Sequence, residues 1–134
     1  MKQENIETEE TFLLKRKFQI HQIHSAAIIG GGVNKHYNNL AKVLGLAEII
    51  HVPYGNQLKK IHSEIHEAIK RVGLVIALPF KSYELDCYIK ETLKKYPRPL
   101  VHTSGGDGAS HIIESLYRKR EGLETVLGNG RGEI

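Results

Sequence analysis

The chain has 134 residues, of which 40% are hydrophobic and 25% charged, with a net charge of +4 and one cysteine. This length makes one domain with a real core and is too short for two. The apolar runs are strand-sized, well short of the about 20 residues a membrane-spanning helix needs, and the lone Cys87 excludes an internal disulfide and any cysteine-rich zinc site.

The opening residues, MKQENIETEETF, are polar and acidic rather than basic and then apolar. They match neither a secretory signal nor an Arg-rich transit peptide, so a soluble, cytoplasmic protein is expected. The following FLLKRKFQIHQIH shows neither strand alternation nor a clean helical stripe. Its apolar residues Phe12, Leu13, Leu14, Phe18, Ile20 and Ile23 must pack somewhere. Residues 1–25 are therefore read as an N-terminal arm, with an edge strand, a docking helix and a dimer contact all open.

From residue 26 the chain repeats a short apolar run, Gly/Pro/Asn punctuation and then an amphipathic stretch, which is the signature of βα units around a parallel sheet. The strand runs are SAAIIG (25–30), AEIIHV (47–52), GLVIAL (73–78) and PLVHT (99–103). They are continuous rather than alternating, as strands covered on both faces should be. The helical stripes are Tyr37, Leu40, Ala41 and Leu44; Leu58, Ile61, Ile65, Ala68, Ile69 and Val72; Leu85, Ile89, Thr92, Leu93 and Tyr96; and Ile112, Ile113, Leu116 and Tyr117. Gly45 and Gly73 stop the first two, and Pro97 and Pro99 bar continuation of the third.

The expected fold is a three-layer α/β sandwich, Rossmann-like or flavodoxin-like, over residues 26–122. Its sheet is parallel, of four or five strands, in the order 2-1-3-4 that right-handed crossovers and a switch after the first strand produce. The glycine-rich tail 123–134 is expected to be loose. Two open sheet edges and the arm call for cover, so a homodimer is expected.

In such a sheet the loops after the strands' carboxyl ends share one side, where ligands bind near the reversal of strand order. These loops carry Gly30, Gly31, Gly32, Asn34, Lys35 and His36; Pro53, Tyr54, Gly55 and Asn56; Pro79, Phe80, Lys81 and Ser82; and Thr103, Ser104, Gly105, Gly106, Asp107 and Gly108. Glycines let backbone N–H groups approach a ligand, and helix N-termini add partial positive charge, so the first and last loops suit an anion, with Lys35 and Lys81 reinforcing them. A plain strand-to-helix turn accounts for the same glycines without a ligand. Asp107 falls where a helix cap is expected.

Named motifs fail. GGGVNK places Lys35 where a dinucleotide fingerprint needs its third glycine, and the second strand ends in Val52 rather than an acid. No Gly-Lys-Ser/Thr triplet closes a P-loop, and the glycine and proline ends of the first and third strands remove a phosphoacceptor reading. His62 and His66, four apart, could share a metal, but spacing fixes no third ligand, and both sit at the boundary of their stripe. His36, His102 and His111 lie by the expected cleft, where histidine could move a proton or ligate haem. Ser104, Ser110 and Asp107 complete the cleft's reactive groups, and spacing alone assembles no triad. Cys87 falls opposite its helix's apolar stripe and reads as an outer thiol. The clusters KRK (15–17) and RKR (118–120) could touch phosphates if they converge, although no aromatic interleaving accompanies them.

On the glycine-ended strand AAIIGGG followed by Tyr37, the GLVIAL strand followed by Ser82, and KETLKKYPRPLVHTSG leading into a Ser/Gly loop, residues 26–117 resemble the bacterial family catalogued as domain of unknown function 2325. The resemblance implies a small Rossmann-like or flavodoxin-like domain and no particular biochemistry. The reading that results is a regulatory, non-catalytic domain binding a small anionic ligand at the sheet's carboxyl edge. The alternatives are a nucleic-acid accessory protein using the basic clusters, and an enzyme or haem or metal binder using the cleft histidines.

Overall fold

Four short runs of branched and small apolar residues form β1 (Ser25–Ile29), β2 (Glu48–Val52), β3 (Leu74–Ala77) and β4 (Leu100–His102). The computed structural model describes residues 7–32, 36–53, 58–79, 83–106 and 108–121. Between the strands lie α2 (Asn38–Val43), α3 (Leu58–Arg71) and α4 (Tyr83–Lys95), with α1 (Glu9–Ile20) before and α5 (Ala109–Arg118) after. All strands are parallel and hydrogen-bonded in the order β2-β1-β3-β4, so the fold is the α/β sandwich that the sequence implies, with four strands among the described residues.

Strand periodicity divides the core in two. Ala26, Ile28, Leu74, Ile76 and Val101 point to one face, where Leu14 and Phe18 of α1, Leu40 of α2 and Ile112 and Leu116 of α5 close over them. Ala27, Ile29, Val75, Ala77 and Leu100 point to the other, against Ile61, Ile65 and Ile69 of α3 and Leu85 and Ile89 of α4. Burying each large aliphatic side chain contributes about 1.5–3 kcal/mol, which explains why both faces of the central strands are apolar. The edge strand β2 is less enclosed, with Ile49, Ile50 and His51 half-buried.

Residues 9–20, which patterning left unassigned, form a helix docked on the sheet. Thr8 caps it: the Thr11 N–H donates to Thr8 Oγ1 (3.3 Å), and the Thr8 N–H donates to Thr11 Oγ1 (2.8 Å). Its C-terminus closes in a Schellman motif, with Ile23 N–H donating to Phe18 O (2.8 Å) and Gln22 N–H to Gln19 O (3.2 Å). Gln22 adopts φ +57°, where Gly45 serves at the same position after α2. Among the described residues no helix is long and apolar enough to cross a membrane.

Candidate functional site

The sheet order puts the reversal between β1 and β3, since the chain leaves β1 for β2 on one side and reaches β3 on the other. The crevice beyond their carboxyl ends is where such folds bind ligands. Gly30 and Gly31, directly after β1, have φ of +108° and +78°. Two successive residues in this region exclude a side chain without strain, so both positions require glycine. Gly30 is locked into the sheet: its N–H donates to Val52 O (2.9 Å), and its carbonyl accepts from His51 Nε2 (2.8 Å). A carbonyl can only accept, so the proton of that imidazole is on Nε2. Tyr37, which precedes α2, meets the His51 ring edge-on at 5.1 Å.

The loop after β4 is built differently. Thr103 N–H continues the ladder to Ala77 O (3.0 Å), and Ser104 N–H donates to the buried Ser115 Oγ of α5 (3.3 Å). Gly105 turns at φ +87°. The imidazole of His111, in the first full turn of α5, lies against the next peptide. A β-carbon on Gly105 would sit 2.8 Å from its Nδ1, and one on Gly106 would sit 2.8 Å from its Cδ2. The glycines thus make room for His111. The α5 cap position is Gly108, which supplies no side-chain cap, and Asp107, expected as the cap, lies outside the described residues.

Of the expected site residues, Gly30, Gly31, Gly32, His36, Ser104, Gly105, Gly106 and Gly108 are placed at this edge of the sheet. Asn34, Lys35, Lys81, Ser82 and Asp107 lie outside the described residues. The two glycine loops do not follow neighbouring strands, because β3 separates β1 from β4. At about 4.8 Å per strand, the loop bases stand about 10 Å apart. Among the described residues, the N–H groups of Gly31, Gly105 and Gly106 meet no hydrogen-bond acceptor.

Two further histidines pack against tyrosines. His62 stacks on Tyr88 of α4 with ring centroids 4.1 Å apart, and His66 meets Tyr96, just after α4, edge-on at 5.3 Å, so both tie α3 to α4 and its end. No group of three His, Cys, Asp or Glu among the described residues could hold a metal ion. Cys87 is exposed. The basic clusters do converge: Lys17 Nζ donates to Arg120 O (3.3 Å), and the Arg120 guanidinium covers the Tyr117 ring at 3.9 Å. Lys119 turns inward to donate to His102 O, and burial pushes its ammonium below the usual lysine range.

Sequence reasoning missed His51, and it took Lys119 only as a member of the basic cluster 118–120. His51 sits inside an apolar strand run, where only its polar character among Ile49, Ile50 and Val52 marks it. Lys119 is hidden in a run of like charges. No family model matches the chain, and no curated protein or solved structure matches it.

Proposed function

We propose that this protein binds an anionic small molecule at the carboxyl edge of its sheet, in a regulatory rather than catalytic role. The observation that carries this reading is that the N–H groups of Gly31, Gly105 and Gly106, at the crevice beside the strand reversal, meet no acceptor among the described residues. Amides on either side of such a crevice form a concave electropositive rim, to which the N-terminus of α5 adds its partial charge. The spacing of about 10 Å between the loop bases exceeds the reach of one phosphate. The ligand is therefore of nucleotide size, with an anionic group on one loop and a body extending to the other.

Thermal unfolding in inorganic phosphate, AMP and adenosine tests this. A ligand at a hundred times its Kd stabilises by about 2.7 kcal/mol, which for a domain of this size raises Tm by roughly 10 °C. AMP should stabilise more than phosphate, and adenosine less than AMP. No stabilisation by either anion would refute the reading.

The convergence of the clusters 15–17 and 118–120 favours a second reading, a surface for the nucleic-acid backbone. Affinity for DNA or RNA that falls steeply with salt, and falls again when Lys15, Arg16 and Lys17 are neutralised, would support it. The crevice ligand should be nearly indifferent to that triple change.

A further inference from the structure

The exposed large apolar side chains among the described residues are Phe12, Leu13 and Ile20, and all three lie on α1. At 3.6 residues per turn, Glu9, Leu13, Arg16 and Ile20 fall along the line opposite the buried Leu14 and Phe18, with Phe12 on its flank. The helix thus carries apolar side chains on its outer side as well as on the face it uses for its own core. Its charges are sorted along its length, with Glu9 and Glu10 in the first turn and Lys15, Arg16 and Lys17 toward the end.

We infer that this outer face pairs with α1 of a second copy of the chain, antiparallel about a two-fold axis. Charge fixes the direction, because a parallel pair would set acid on acid and base on base. Antiparallel, with the axis between residues 12 and 13, Phe12 and Leu13 flank the axis on its two sides, so that Phe12 packs beside the second copy's Phe12 and Leu13 beside its Leu13, while Glu9 and Arg16 meet across each end and Ile20 lies beyond the paired turns. The same patch is used by both copies, as an isologous interface requires. A helix of 12 residues is about 18 Å long, and one helix pair of that size covers less than the about 800 Å² per partner of a stable dimer. The association is therefore weak and concentration-dependent. It does not depend on the ligand reading.

Sedimentation velocity on the full chain, over a wide concentration range, tests the inference. Wild type should pass from monomer to dimer. Leu13→Asp should abolish the dimer, and Glu9→Arg or Arg16→Glu alone should weaken it several-fold, since each substitution places like charges at both symmetric contacts. The double variant Glu9→Arg/Arg16→Glu should restore it. All three positions are exposed, and unchanged urea midpoints would confirm that the variants fold. A wild type that stays monomeric throughout overturns the inference. So does a dimer indifferent to Leu13→Asp, or a double variant no better than the singles.

Discussion

Alanine at Gly105 and at Gly106 separates backbone strain from steric contact within one loop. Both substitutions bring a β-carbon to 2.8 Å from the His111 ring, too close for any real contact. Only Gly105 also holds a positive φ, +87°. An L-residue in that region costs about 1–2 kcal/mol. The clash costs less, because His111 is exposed and can rotate away. Gly105→Ala should therefore lose about 2 kcal/mol and Gly106→Ala less than about 1 kcal/mol. His111→Ala alone should be near neutral. Combined with Gly106→Ala it should erase most of that variant's loss, whereas with Gly105→Ala the φ penalty should remain. Urea unfolding of the wild type, the three single variants and the two doubles, analysed with a common m-value, measures each difference. Equal losses at Gly105 and Gly106, or strict additivity of Gly106→Ala with His111→Ala, would refute this account of the loop.

Other consequences follow from the packing of α1 and α5. Phe18 is fully buried between α1 and the sheet, so Phe18→Ala should cost about 3–5 kcal/mol in urea unfolding; a loss below about 1 kcal/mol would mean that α1 is dispensable. Gln22 occupies the left-handed position of a Schellman motif, and Gln22→Gly should raise stability by about 0.5–1 kcal/mol, which a lowered urea midpoint would contradict. Burial lowers the pKa of Lys119 from 10.5. The unfolded chain therefore binds more protons in the interval just below that value, and stability should rise with pH there. Subtracting the pH profile of Lys119→Met isolates this rise from the other lysines and tyrosines, and identical profiles would exclude it.

The sheet was legible because a strand buried on both faces must be apolar at every position, and 25–30, 73–78 and 99–103 are nearly so. The order of strands followed from handedness and from the single reversal that such chains make. Helix α1 was not legible as a helix. Thr11 takes a buried position, Phe12, Leu13 and Ile20 are apolar but exposed, and the two signals cancel any single stripe. The glycine loops at the sheet's carboxyl edge were legible, but their construction was not. That His111 fills the space over Gly105 and Gly106, and that His51 holds the Gly30 carbonyl, are contacts between residues whose spacing carries no periodic signal. The inward turn of Lys119 likewise depends on where β4 ends, at His102.

The central claim is that the amides of the loops after β1 and β4 take hold of one anionic ligand. Amide NMR during titration with AMP reads those amides directly. The claim predicts that the N–H signals of Gly31, Gly105 and Gly106 move together with a single Kd, and that adenosine moves them far less. Signals that stay still at saturating AMP, or that move on one loop only, would contradict it.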